Sequence, residues 1–222
     1  MGLSSVSPTP PRPAKRAPRF NRETADVRRR QLIEAAIRAL AKGGIAAFTI
    51  DSICKEAQVS RGLINHHFGS LDDLLVEVYQ SSLYESVSEH IAQARRQRQD
   101  RTGNPPEAVL LALVRSNFQP RSFTRDNLLV WLALWGEIAV NDKLRQAHRR
   151  LYEAYRGELA VEIAAIAAHR SRPVDAAGLA RNFIALVDGL WLEWCLDDKA
   201  VTPAEAEEAS LGLLESALGS LR

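Results

Sequence analysis

The 222-residue chain is predicted to be all-α: a three-helix head ending in a helix-turn-helix, followed by a larger helical domain, with about nine helices in all. Three observations lead there. Apolar residues recur at helical spacing along most of the chain, helix-start residues punctuate it at intervals, and no segment keeps the period-two alternation of a strand between turn signals. The composition, 46% hydrophobic and 25% charged, supports a sizeable core.

The formal net charge is only +2, yet Arg12, Lys15, Arg16, Arg19, Arg22, Arg28, Arg29 and Arg30 precede most of the acids. Residues 1–24, rich in Pro, Ser, Arg and Lys, read as a disordered basic arm; they lack the apolar core of a secretory signal. Cys54 and Cys195 have neither CxxC spacing nor a nearby His at ligand spacing, so no disulfide framework, metal site or cofactor is expected. No stretch approaches the roughly 20 apolar residues of a membrane span, and a reducing cytoplasm fits best.

The head spans residues 25–78. Leu32, Ile33, Ala36, Ile37 and Leu40 give its first helix, closed by Gly43 and Gly44, which take a left-handed turn most readily. Thr49 caps the second, whose stripe is Ile50, Ile53, Cys54 and Ala57, with Asp51 in the positively polarised first turn. Ser60 caps the third. There Ile64 and Phe68 point inward, leaving Arg61, Gly62, Asn65 and His66 outward. Two short helices joined by a tight turn are the format in which proteins read a DNA major groove, and such a face suits base edges and phosphates. The plainer reading of each residue is a solvated helix face. His66 and His67 point about 100° apart and do not readily chelate one metal. Ser70 then caps a linker helix, expected from Leu71 to about Gln93, with Asp72 and Asp73 in its first turn.

Residues 79–222 form the larger domain, with helix starts at Asn104, Thr124, Asn141, Asp175 and Thr202, the last in capping-box spacing with Glu205. Trp131 and Trp135 are spaced i, i+4, and Trp191 and Trp194 i, i+3. Such tryptophans are ordinary core fillers, or they line a pocket whose ring faces hold a cation, with Glu137, Asp188 or Glu193 as countercharge. Small residues mark the last two helices: Ala180, Ala185 and Gly189, then Ala206, Ala209 and Gly212. They fit half of a symmetric four-helix dimer interface, or the monomer's own core.

The three-helix head, ending His66-His67-Phe68 and followed by a capped linker helix, resembles the TetR family of bacterial transcriptional regulators from Arg28 to about Leu75. The segments WLALW (Trp131 to Trp135) and DGLWL (Asp188 to Leu192), with Asn117 and Phe118 upstream, resemble its choline-responsive BetI branch. The resemblance implies a homodimeric repressor on the palindromic operator of double-stranded DNA, released by a small-molecule effector, choline-like or another organic cation. It makes Thr49, Ser60 and His67 phosphate-contact candidates and sets Arg61, Gly62, Asn65 and His66 nearer the bases, with Arg28 of the basic stretch beside them. Effector candidates are Asn117, Phe118, Trp131, Trp135, Glu137, Asp188, Trp191 and Trp194. Four positions depart from the family pattern. Gln58 stands where glycine is usual in the turn, Cys54 where alanine is usual, Asn65 for a frequent tyrosine and Leu71 for a frequent lysine, so fewer phosphate anchors are expected. Two other classes remain: a helical interaction protein that has lost DNA reading, and an enzyme. The latter is disfavoured by the lack of HExxH, a Walker loop, GxSxG or a Cys/His nucleophile pair.

Overall fold

Nine α-helices and one 3-10 turn make up the regular structure of the described residues, 20–83 and 107–222, in this computed structural model. The head holds α1 (Phe20–Gly43), the 3-10 turn (Gly44–Ala47), α2 (Ile50–Ala57) and α3 (Gly62–Phe68), and α4 (Leu71–Leu83) leads out of it. The second part holds α5 (Glu107–Asn117), α6 (Arg125–Val140), α7 (Asp142–His169), α8 (Ala176–Leu196) and α9 (Pro203–Leu218). No strand occurs among the described residues.

Local chemistry sets most helix starts. The Thr49 hydroxyl accepts from the Ser52 amide at 3.2 Å, Ser70 from Asp73 at 3.1 Å and Thr124 from Asn127 at 3.3 Å. Asn141 accepts from Lys143 and Leu144, and Asp175 from Gly178 at 3.0 Å. Thr202 and Glu205 complete the reciprocal capping box. Each such cap is worth about 1 kcal/mol. At the end of α1, a Cβ on Gly43 would come within 2.8 Å of the Ala47 Cβ, and Gly44 has φ +59°, so both glycines are required by the turn.

Two expectations change, and a third falls outside the described residues. The first helix begins at Phe20, inside the stretch read as an arm, where Glu23, Thr24, Ala25 and Asp26 continue a helix-compatible sequence; residues 1–19 lie outside the described residues. Ser60 is not a side-chain cap. Arg61 occupies the cap position with helical φ/ψ and no capping hydrogen bond; Ser60 contributes instead its carbonyl, which accepts from Leu63 at 3.1 Å. The linker helix is described to Leu83, and both its expected continuation and the Asn104 cap lie outside the described residues.

One apolar core runs through the molecule, from Leu32, Ile53 and Ile64 in the head to Leu134, Ile163, Phe183 and Leu214. Helix α1 packs on α2, α4 and α6, and α4 packs on α7. Tyr79 of α4, with no exposed surface, sits where these layers meet. Of the six small residues on α8 and α9, Ala180 and Ala206 are buried in the chain's own core, while Ala185, Gly189, Ala209 and Gly212 are exposed. No helix of the described residues is long and apolar enough to cross a membrane.

A DNA-reading head and an aromatic cavity

The head turns its apolar stripe inward and its polar face out. Ile53, Cys54, Ile64 and Phe68 are buried, and Arg28, Thr49, Ser60, Arg61, Gly62, Asn65 and His66 are exposed, with His67 intermediate. Gln58 closes α2 in the left-handed conformation, φ 55° and ψ 46°. A non-glycine residue there costs about 1 kcal/mol. Its amide donates to the Cys54 and Lys55 carbonyls, and the Val59 amide reaches Cys54 at 3.0 Å, which together turn the chain into α3.

A shallow groove between α2 and α3 is lined by Thr49, Ile50, Asp51, Arg61, Gly62, Asn65 and Leu71. Within it Arg61 pairs with the Asp51 carboxylate at 2.5 Å, both side chains largely exposed. Arg29 of α1 braces the far end: it pairs with Glu77 of α4 at 2.7 Å and lies over the Phe68 ring at 4.9 Å. Burial lowers the His67 pKa, with His66, Arg29 and Arg28 adding repulsion, so His67 is neutral at pH 7. Arg28 itself bonds Gln31 at 3.0 Å.

In the second part, α5, α6, α7 and α8 enclose a cavity lined by Ser116, Asn117, Ser122, Trp131, Trp135, Tyr152, Tyr155, Ile184, Val187, Asp188 and Trp191. A water-sized sphere can centre itself in about 50 Å³ of this space, against roughly 10–15 Å³ for a single water. Asp188 is the one carboxylate in the lining among the described residues. Burial raises its pKa to about 6, partly offset by the Tyr152 hydroxyl, which donates to Oδ2 at 3.2 Å. The phenols of Tyr152 and Tyr155 are pushed well above their usual range, by burial first and then by the Asp188 charge, so both stay protonated donors. Asn117 Nδ2 donates to the Leu113 carbonyl at 2.9 Å. Trp131 and Trp135 lie 6.0 Å apart, tilted by 40°. Trp191 Nε1 is buried with no hydrogen-bond partner among the described residues. The arrangement combines one carboxylate, several aromatic rings and a waiting N–H donor, a suitable set for a small cation bearing an oxygen.

Known proteins share both halves. A family model described as bacterial regulatory proteins, tetR family, matches residues 32–78, and one described as BetI-type transcriptional repressor, C-terminal, matches residues 106–219. The HTH-type transcriptional regulator BetI of Paraburkholderia phymatum is 32% identical over 205 residues, covering 86% of this chain and 96% of that protein. The chain belongs to the TetR family of bacterial transcriptional regulators, with a BetI-type C-terminal half. A transcriptional regulator of Pseudomonas aeruginosa PAO1 superposes with TM-score 0.75 at 29% identity, covering 89% of this chain and 93% of that one. Another, from Saccharomonospora viridis and solved in complex with choline, has TM-score 0.71 at 25% identity, covering 86% and 96%. As a TetR-family member the chain is a DNA-binding transcriptional regulator, and not an enzyme.

Within this BetI-type half, Asn117, Trp131, Trp135, Asp188 and Trp191 come together around the cavity. Phe118 and Trp194 stand one layer back, both against Phe123, whose ring in turn meets Trp191 edge-on at 5.5 Å. Glu137 is partly exposed and outside the lining; six residues after Trp131, it falls on another face of α6. Tyr152 and Tyr155 were not anticipated. His148, Tyr152 and Tyr155 recur at i, i+4 and i+7 along α7, an aromatic stripe in a polar stretch that marks an inward face.

Proposed function

We propose that this regulator is a homodimeric repressor that binds a palindromic operator through α3 and is released by a choline-like organic cation in the aromatic cavity. The observation that carries the effector class is the enclosure of Asp188 by Trp131, Trp135, Trp191 and two tyrosines. Ring faces attract a quaternary ammonium by about 2 kcal/mol or more when water is excluded, and the carboxylate supplies the opposite charge. The buried Trp191 N–H offers a hydrogen bond to an oxygen of the same ligand, such as choline's hydroxyl. The choline complex of the Saccharomonospora viridis relative supports the same class.

Arg61, Gly62, Asn65 and His66 meet base edges in this reading, while Arg28, Thr49, Ser60 and His67 meet phosphates; residues 25–78 act as the DNA head and 79–222 as the effector and dimerisation domain, in the cytoplasm. The exposed Ala185, Gly189, Ala209 and Gly212 supply the close helix approach of a dimer. Two heads then reach half-sites about one helical turn apart. The effector acts by binding the dimer whose heads are wrongly spaced better than the one bound to DNA.

A duplex enriched by the protein from a randomised pool tests this reading. Choline or betaine aldehyde should bind in calorimetry and displace that duplex at fixed salt. Displacement by an uncharged or anionic compound, with no binding of either cation or of a polyamine, would overturn the effector class. Equal affinity for the enriched and a scrambled duplex would overturn operator reading.

A further inference from the structure

Between the cavity and the head lies a path of side chains that neither DNA contact nor ligand contact explains. Tyr152 of α7 lines the cavity and donates to Asp188. On its other side its ring lies against His148, with centroids 4.1 Å apart. His148 Nδ1 is 2.8 Å from the Tyr79 hydroxyl on α4. A second arm reaches the same residue: Trp131, also in the cavity wall, meets the Tyr79 ring edge-on at 6.0 Å.

Both partners of the central hydrogen bond are uncharged. Burial, followed by the Asp188 charge, holds the Tyr79 phenol protonated. Burial and nearby Arg156 keep His148 neutral at pH 7. The bond thus joins a protonated phenol to a neutral imidazole, and its direction follows the His148 tautomer.

Helix α4 is tied to the head next to this joint. Glu77, two residues before Tyr79, pairs with Arg29, and Arg29 lies over Phe68 at the end of α3. Asp73, one turn earlier, pairs with Lys143 at the start of α7. With Tyr79 wholly buried, a shift of Tyr152 or Trp131 has no solvent gap to vanish into.

We propose that Tyr79 and His148 are positioning residues, joined by their hydrogen bond, through which occupancy of the cavity sets the pose of α4 and hence of α3. The inference rests on the effector reading above. A cation drawn to Asp188 reorients the Tyr152 hydroxyl; the Tyr152 ring carries His148, and His148 carries Tyr79.

The test compares the full-length wild type with Tyr79→Phe, which removes one hydroxyl and keeps the ring on Trp131. His148→Leu removes the hydrogen-bond partner, and His148→Asn keeps a hydrogen-bonding group near the Nδ1 position. Calorimetry gives the choline affinity of the free protein and of the protein saturated with its enriched duplex. In the wild type the duplex should weaken choline binding about tenfold or more. In Tyr79→Phe and His148→Leu the ratio should fall to within about threefold of unity, with the free protein's choline affinity and melting temperature close to wild type, and His148→Asn should restore it. A wild-type ratio in both deleting variants would overturn the proposal. Should choline not bind the wild type, the effector reading fails, and the joint is judged from the DNA side. All four tryptophans lie in the second part of the chain, so the duplex should change indole emission in the wild type and not in Tyr79→Phe. An equal change in both, or none in the wild type, would overturn it.

Discussion

The head and the cavity of this TetR-family regulator are built on opposite plans. In the head the apolar residues turn inward and the chemistry lies outside, on Arg61, Asn65 and His66 within a few residues of one another. In the cavity the chemistry is inside, assembled from α5, α6, α7 and α8 over more than seventy positions of sequence, from Ser116 to Trp191. An exposed reading face needs only local geometry and pays no desolvation until DNA arrives. An interior carboxylate is desolvated from the moment of folding, and Asp188 shows the effect in its raised pKa.

If the two regions carry separate tasks, substitutions should separate them. The largest effect is expected from Asp188→Asn, which removes the cavity's charge at nearly constant volume. Choline affinity should fall by about 3 kcal/mol, roughly a hundredfold, in calorimetry, while affinity for the enriched duplex without effector stays within a few tenths of a kcal/mol. Next is Asn65→Ala, the converse. It should cost about 1–3 kcal/mol of duplex affinity, relax preference at one base pair, and leave choline binding unchanged, as read by titrating single-base variants.

Acidification should sharpen the contrast at intermediate size. Choline meets the ionised form of Asp188, so its affinity should hold above pH 7 and drop by about 1.4 kcal/mol per unit below about pH 6. The sign for folding is opposite. The raised pKa means the native chain favours the proton, and that stabilisation is full below the unfolded value of 3.8 and gone once the pH passes about 6. An affinity that strengthens on acidification would place the cation elsewhere. The smallest effect is expected from Gln58→Gly, which relieves the left-handed backbone. Thermal unfolding should rise by about 2–4 °C for a gain of about 1 kcal/mol, with choline affinity untouched.

The two plans also explain how much was legible. Thr49, Thr124, Asn141, Asp175 and Thr202 could be read as caps because a cap bonds an amide two or three residues away. The outward set of α3 followed from the i, i+4 pairing of Ile64 and Phe68. Cavity membership is a property of distant segments. Tyr152 reaches Asp188 across 36 positions, a separation that periodicity does not encode. Adjacency was a poor guide there: Glu137 lies two residues from Trp135 yet outside the lining, and Trp194, three residues from Trp191, packs on Phe123 instead. The left-handed turn at Gln58 was visible only through likeness to relatives with glycine, since glutamine itself carries no such preference.

The pairing of Arg61 with Asp51 bears on how quickly such a protein finds its site. If Arg61 reads a base as proposed, on an arbitrary duplex its guanidinium should stay with Asp51, which would reduce by one the cations held by phosphates and weaken the grip between hops. Exposed pairs are worth about 0.2–1 kcal/mol, and a guanine edge that offers two acceptors outcompetes that. In that reading Asp51 favours short stays on the wrong sequence and long stays on the right one, and replacing it with alanine would slow the search by making every stretch of DNA stickier.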